Sequence, residues 1–289
     1  MSSSRPLIRK LLLVGDERKG DFRASIQQHA EWLAGRGCSC EIVTDRESSL
    51  ADRDADAVVV WGGDGSLLAT ARRMGKNQLP TLGINRGRLG FLTALESEHS
   101  RQALEMLLGG ELHEEQRQMF ACDVRGAEGS IGEPVLGLND VVVSRAAVGG
   151  MILLRALRGA VELATYRGDG LIAATALGST AYSMAAGGPV LTPDLDALVL
   201  TPLASHSLSA RPLVLPNADG VEIEVVETGN KKYAYCMVDG QVQLQVPLGA
   251  RVVMSPAATR FRQLGLGPSH FFRVLKAKFG FAGVMPHRR

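Results

Sequence analysis

The stretch Ala57-Val58-Val59-Val60-Trp61-Gly62-Gly63-Asp64-Gly65-Ser66-Leu67-Leu68 decides the fold. Its first five residues are apolar and mostly β-branched, the pattern of a strand buried on both faces of a parallel sheet. Three glycines then surround one aspartate, and Ser66 stands where a helix N-cap belongs, so a helix is expected to begin near Ser66. Glycines let the backbone pass close to a ligand and present N–H groups, and a helix N-terminus adds partial positive charge; the turn suits a phosphate. Asp64 sits at the carboxyl end of a strand, where open α/β sheets place their ligands. Its carboxylate could take a proton from an attacking hydroxyl or help hold Mg²⁺. A plain strand-to-helix turn with a capping aspartate would carry the same letters.

Around this stretch the first third of the chain alternates strand and helix. Lys10 to Gly15 reads as a buried strand, and Ala24 to Ala34 as a helix with Ile26, Ala30 and Leu33 on one stripe. Strands are expected at Cys40 to Thr44 and Leu79 to Asn85, and a helix at Ser100 to Leu108. Such βαβ alternation implies a parallel sheet covered by helices. Near residue 118 the helical period fades. Met119 to Val124, Val135 to Arg145, Met151 to Leu157, Val161 to Tyr166, Ala197 to Leu200, Val221 to Glu227, Tyr233 to Val238, Val242 to Val246 and Arg251 to Met254 read as strands. Ser179 to Ala186 is the clear helical candidate there. From His270 to Phe281 helical spacing returns, with Phe272, Leu275 and Phe279 as its apolar face. The expected fold is α/β: a parallel α/β domain over 1–118 with a return segment at 268–289, and a β-rich domain over 119–267.

Composition excludes several classes. The 289 residues carry 32 Lys+Arg against 30 Asp+Glu, a formal net charge of +2, and 45% are hydrophobic, so neither disorder nor electrostatic nucleic-acid binding is indicated. The apolar run Leu11 to Val14 after Arg5, Arg9 and Lys10 is too short for a signal segment, and no stretch reaches the ~20 apolar residues of a membrane span. A soluble, cytoplasmic protein without a membrane partner is expected. Cys38, Cys40, Cys122 and Cys236 are expected as free thiols, with Cys38 and Cys40 on one face of a strand.

Three further stretches could carry chemistry. Gly83-Ile84-Asn85-Arg86-Gly87-Arg88-Leu89-Gly90-Phe91-Leu92 is again a strand running into a glycine-rich loop, ending on the same sheet edge as Asp64. Asn85 belongs to this loop, and Arg86 and Arg88 could neutralise phosphate. Leu138-Asn139-Asp140 sets an amide beside a carboxylate, a pair suited to an adenine edge or a ribose diol, and equally to a turn. Arg167-Gly168-Asp169-Gly170 is followed by Thr175 to Tyr182, where Gly178-Ser179-Thr180 opens a short helix whose amides and hydroxyls can hold a polar ligand. Tyr182 could pack on a ring.

In their order these motifs resemble the NAD kinase family. The resemblance rests on Gly62-Gly63-Asp64-Gly65, the loop from Gly83 to Leu92, Asn139-Asp140, Asp169-Gly170-Leu171-Ile172, Gly178-Ser179-Thr180-Ala181-Tyr182 and Ala186-Gly187-Gly188-Pro189. It extends through Thr201-Pro202, His206-Ser207-Leu208-Ser209, Arg211-Pro212, Asp239-Gly240-Gln241 and a tail with Phe271, Phe272, Leu275, Lys278 and Gly280, so it covers about residues 10 to 281. It implies a β-sandwich-like second domain, a C-terminal helix returning to the first, and a site between domains in a homodimer or homotetramer. The implied reaction is phosphorylation of the adenosine 2′-hydroxyl of NAD by ATP or another phosphoryl donor, giving NADP, with Mg²⁺ carried by the nucleotide and no fixed protein metal ligands.

By the same resemblance Asp64 is the catalytic acid/base. Gly62, Gly63, Gly65, Ser66, Asn85 and Arg86 form the phosphate loops. Asp64, Gly65, Phe91, Asn139, Asp140, Arg167, Asp169, Leu177, Thr180, Ala181 and Tyr182 line the dinucleotide site, with Asp169 near the nicotinamide. Arg167, two residues before Asp169, could pair with it and favour NAD over NADH. His206 and Arg211 match a motif of structural character.

Departures from the family pattern occur at Leu177, where a hydroxyl is lost near the adenine, at Ser205 in place of a proline, and at Asp140, one methylene shorter than the usual glutamate. A lipid or sugar kinase sharing the Gly-Gly-Asp-Gly turn, or a non-catalytic dinucleotide sensor, is the alternative; the Gly178-to-Tyr182 stretch and Asp64 argue against each.

Overall fold

The computed structural model describes residues 8–17, 22–87, 90–93, 95–146, 150–207 and 209–280. Arg5, Arg88, Leu89, Leu208 and Phe281 lie outside the described residues. The chain divides into two compact units, residues 1–116 with 261–289, and residues 117–260.

The first unit is built on a parallel sheet. Its strands lie in the order Ser39–Val43, Lys10–Gly15, Ala57–Trp61, Thr81–Asn85, and all these neighbours are parallel. The end of the long strand Arg251–Gly265 continues the sheet, with Gln263 and Leu264 opposite Thr81 and Leu82. Strands Ala57–Trp61 and Thr81–Asn85 are buried at every position. That follows from their composition, since β-branched and apolar side chains on both faces need helices above and below. The helices Phe22–Ala34 and Ser100–Leu108 supply Ile26, Leu33, Ala103, Leu104 and Leu107 to one core with Leu11, Leu13, Val59, Trp61, Leu82 and Ile84. Because the second strand in sequence lies on one side of the first and the third on the other, the strand order reverses between Lys10–Gly15 and Ala57–Trp61, the position at which doubly wound sheets bind ligands.

The second unit is antiparallel. Six strands run in the order Leu213–Pro216, Ala197–Leu203, Gly170–Thr175, Asp140–Arg145, Tyr233–Val238, Val242–Pro247. Strands Val161–Gly168, Ile152–Arg158, Val221–Glu227 and the first part of Arg251–Gly265 form a further antiparallel array. Alternate residues of both layers meet in one core: Val141, Val143, Leu171, Ala173, Cys236 and Val238 from the first, Ile152, Leu154, Val221, Ile223, Val225 and Val252 from the second. This is the sandwich-like arrangement the resemblance implies.

Several expected elements differ. Val135 to Arg145 is two strands, Val135–Gly137 and Asp140–Arg145, because the backbone bends at Leu138-Asn139. The candidate helix from Ser179 to Ala186 is a 3₁₀ turn, Gly178–Thr180, and a four-residue helix, Tyr182–Ala185, broken where Ala181 leaves the helical region with a ψ of −127°. Strand His113–Gly126 is longer than its apolar stretch, since charged residues at its start face out. The C-terminal helix spans Ser269–Phe279; it buries Val274 and Leu275, whereas Phe272 is exposed, so its inner stripe is rotated from the expected one. All four cysteines are free. Among the described residues no helix is long and apolar enough to cross a membrane.

Phe120 is 1% exposed and among the largest buried side chains of the second unit's core. Replacing it by alanine should lower the stability of the folded chain by about 3–5 kcal/mol, read from urea unfolding midpoints. A loss below about 1 kcal/mol would show that this strand is not part of the core.

Candidate active site

In the first unit the strand Ala57–Trp61 ends at Gly62, whose amide still bonds the Ile84 carbonyl at 2.9 Å, and the chain turns at once into the helix Asp64–Met74. Its N-cap is Gly63, not Ser66. The Ser66 amide already bonds the Gly63 carbonyl at 2.9 Å, so Ser66 lies inside the first turn. Glycine at the cap lets the strand enter the helix without a side-chain cap, and Asp64 becomes the first helical residue, where the positive end of the dipole favours a carboxylate. Leu67, Leu68, Ala71 and Met74 bury the helix against the sheet.

The neighbouring strand Thr81–Asn85 ends on the same edge. Asn85 is 2% exposed and its Oδ1 accepts the Gly87 amide at 3.1 Å, which shapes the loop from within, while Arg86 is exposed beside it. After the loop the chain passes Asp64 closely. The Phe91 and Leu92 amides donate to Asp64 Oδ2 and Oδ1 at 2.9 and 3.0 Å. A Cβ on Gly90 would fall 2.0 Å from Asp64 Oδ1, so only glycine fits there. Gly62, Gly63, Asp64, Gly65, Ser66, Asn85, Arg86 and Phe91 therefore belong to one sheet edge. The Phe91 ring packs between Phe271 and Phe279 of the C-terminal helix, at 5.6 and 6.2 Å between centroids.

In the second unit Asn139, Asp140 and the stretch from Leu177 to Tyr182 gather at one end of the six-stranded sheet, whereas Asp169 lies at its opposite end beside Arg145, and Arg167 lies on a strand of the other layer. Asp239, in a left-handed conformation at φ 51°, accepts amides from Leu138, Asn139 and Asp140 at 3.0, 2.8 and 3.3 Å. Three consecutive amides on one carboxylate hold the bend that divides the two strands. Thr175 closes it from the other side: Oγ1 donates to the Leu138 carbonyl at 2.7 Å and accepts the Gly178 amide at 3.1 Å. A Cβ on Gly178 would meet the Asn139 carbonyl at 2.0 Å, so the Asn139-Asp140 turn and the Gly178–Thr180 turn are pressed together. Sequence reasoning missed Asp239 and Thr175 as organisers. Asp239 stood in a recognised motif without a role, and an acid three amides deep is visible only once the chain has folded.

Thr180 donates to the Leu177 carbonyl at 3.2 Å, Ala181 is half-buried, and Tyr182 is 50% exposed with its ring open to a ligand. Leu177 is buried and lines a small pocket of about 10 Å³ with Gln118, Pro193, Leu195 and Asn217. His206 and Arg211 are exposed; the His206 amide bonds the Arg167 carbonyl at 3.0 Å.

Arg167 does not pair with Asp169. Its guanidinium pairs with Glu227 at 2.9 Å, and Asp169 pairs instead with Arg145 at 2.6 Å. Strand register explains both. Gly170 faces Ser144, which brings Arg145 beside Asp169, and their backbones also bond at 3.1 Å. Leu153 faces Arg167 on one side and Glu227 on the other, so these two side chains share a face. Arg145 is thus a neighbour of the expected nicotinamide-end carboxylate that no local pattern signalled.

Burial, reinforced by the charge of Asp239, pushes the Asp140 carboxyl up to about 7. Near neutrality it is divided between a form that can donate and one that only accepts.

A doubly wound sheet with two adjacent glycine-rich loops along its carboxyl edge, the one beside the reversal point carrying a carboxylate at a helix N-terminus, defines an α/β enzyme that handles phosphate-bearing nucleotides. The comparisons narrow this class. Residues 17–112 match the ATP-NAD kinase N-terminal domain and residues 138–264 the ATP-NAD kinase C-terminal domain. Similar proteins include the NAD kinases of Desulforamulus reducens, 36% identical over 281 residues covering 92% of this chain and 95% of the relative, and of Cupriavidus pinatubonensis, 39% identical over 291 residues covering 96% and 93%. Among solved structures, the fold is like that of yeast NADH kinase complexed with NADH, at TM-score 0.87 and 20% identity over 99% of this chain and 91% of that one. An NAD kinase from Archaeoglobus fulgidus in complex with ATP is similar at TM-score 0.76 and 25% identity, over 93% and 97%. The chain belongs to the NAD kinase family.

The raised Asp140 carboxyl has a consequence for stability. An unfolded aspartate releases its proton near the ordinary value of 3.8, whereas the folded one keeps it until about 7. Over that window the folded state binds the extra proton, so stability falls as pH rises. Denaturant unfolding from about pH 4 to about pH 8 should show the wild type losing stability relative to Asp140→Asn, with the difference levelling off above the window. Parallel curves would remove Asp140 as the source.

Proposed function

We propose that the chain phosphorylates the adenosine 2′-hydroxyl of NAD with ATP, or another phosphoryl donor, to give NADP. The observation that carries this reading is Asp64, at the carboxyl end of a central strand and in the first turn of a helix, with its carboxylate aimed by the Phe91 and Leu92 amides. Asp64 takes the proton of the 2′-hydroxyl while its oxygen bonds the γ-phosphorus; the bond from that phosphorus to the β–γ bridging oxygen breaks and ADP leaves. Proton transfer by a placed carboxylate contributes a factor of about 10²–10⁴. The remainder comes from position and charge neutralisation, as is general for phosphoryl transfer. Gly62, Gly63, Gly65 and Ser66 offer the phosphates a close backbone and a helix N-terminus, and Asn85 and Arg86 complete the phosphate loops.

Phe91, Asn139, Asp140, Thr180, Ala181 and Tyr182 bind the dinucleotide, with Leu177 packing behind the adenine pocket. Asp169 and Arg167 belong to its nicotinamide end. Mg²⁺ enters with the nucleotide. Among the described residues no group of three or more His, Cys, Asp or Glu is arranged to hold a metal. Bound with the nucleotide, Mg²⁺ would neutralise charge on the donor phosphates. The yeast and archaeal neighbours were captured with NADH and ATP, ligands of the two kinds this reading requires.

The deciding experiment is turnover of NAD with Mg-ATP under a coupled NADP readout. Asp64→Asn should keep the fold and lose at least ~100-fold in kcat. A purified variant with near wild-type kcat would remove Asp64 as the base.

The working form is proposed to be a cytoplasmic homodimer or homotetramer, because a domain with this many strands needs its edges covered. Light scattering at micromolar concentration should give a multiple of the 30.8 kDa chain mass; a fully active species of single-chain mass would overturn it.

A further inference from the structure

The loop that aims Asp64 is itself held from behind. Its amides at Phe91 and Leu92 face the carboxylate, and its carbonyls face the other way, toward the C-terminal part of the first unit. Gln263 donates from Nε2 to the Leu92 carbonyl at 3.0 Å, from a position 5% exposed. His270 Nε2 lies 3.1 Å from the Thr93 carbonyl. The turn is braced internally by the Gly90 amide on Thr93 Oγ1 at 3.2 Å. Three side chains of the same helix also enclose the Phe91 ring: Phe271, Phe279, and Lys278, whose Nζ lies 5.1 Å from the ring centroid.

We propose that His270 and Gln263 are positioning residues for phosphoryl transfer, fixing residues 90–93 by their carbonyls so that the amides of the same loop hold Asp64 in line. This rests on the reading of Asp64 as the base. The Leu92 carbonyl shares its peptide plane with the Thr93 amide, so the grip on Leu92 and Thr93 reaches the Phe91 and Leu92 amides through the backbone torsions of the turn, which the Gly90 amide on Thr93 Oγ1 also restrains. A carbonyl only accepts, so His270 carries its proton on Nε2. Burial lowers the imidazole pKa, and Arg273 adds to the fall, against the opposing pull of the Thr93 carbonyl, Glu115 and Asp64. The neutral Nε2–H form serves as donor, and the protonated form would keep the same bond. The role is therefore one of geometry.

The test uses the full chain with NAD and Mg-ATP. His270→Leu removes the donor, and His270→Gln can restore an N–H within reach of Thr93. His270→Leu should lose roughly tenfold or more in kcat, as small displacements of a catalytic group do, while KM for NAD changes less than about threefold. His270→Gln should recover most of the loss. In the Asp64→Asn background, His270→Leu should cost almost nothing further, because its effect passes through the carboxylate. Gln263→Leu serves as an independent variant with the same expected pattern, and thermal melting confirms that each is folded. Wild-type kcat in folded His270→Leu and Gln263→Leu overturns the proposal, as do fully additive losses on Asp64→Asn or failure of folded His270→Gln to recover. If Asp64→Asn alone is near wild type, it is the assignment of the base that fails, and this result is distinct from the others.

Discussion

Two adjacent five-residue strands, Ala57–Trp61 and Thr81–Asn85, are buried at every position, and this constraint governs the first unit. A strand with apolar side chains on both faces is stable only inside a sheet covered on both sides, and parallel neighbours need helical crossovers that return the chain to the same starting edge. Their carboxyl ends therefore emerge together. The glycine-rich loops that follow start from that shared edge, with backbone amides available. Asp64 is the acceptor for two of these amides.

The second unit uses the same chemistry for another purpose. Asp239 takes three consecutive amides, and the bend it stabilises presents Asn139 and Asp140. An acid buried among backbone donors is costly to create without them and strongly directing with them. The proximity of Asp239 then acts on Asp140, whose carboxyl is both buried and next to a like charge. The shorter side chain at this position, relative to the glutamate usual in the family pattern, keeps its carboxyl close to the backbone and within this polar turn.

Much of the site was legible because it depends on local chemistry. Glycines beside one aspartate after an apolar strand announce a strand-to-helix turn at a ligand edge, and the order of the motifs identified the family. Ser66 was misplaced as a cap because serine is the commoner capping residue; the turn enters the helix through Gly63 instead, before a serine is needed. The inner face of the C-terminal helix was misjudged because its aromatic residues are large and apolar wherever they point, and exposure of Phe272 depends on what lies opposite.

The sequence by itself determined the alternation of strand and helix, the buried strands, the change to a β-rich second part, and the aspartate among glycines at a strand's carboxyl end, all through periodicity and backbone preference over a few residues. Tertiary structure alone decided which charges meet. Arg145 rather than Arg167 pairs with Asp169 because strand register sets residues 24 positions apart side by side. His270 reaches Thr93 across 177 positions, and Asp239 reaches Asn139 across 100. Such pairings depend on how distant segments align, and neither hydrophobic period nor local propensity carries that information.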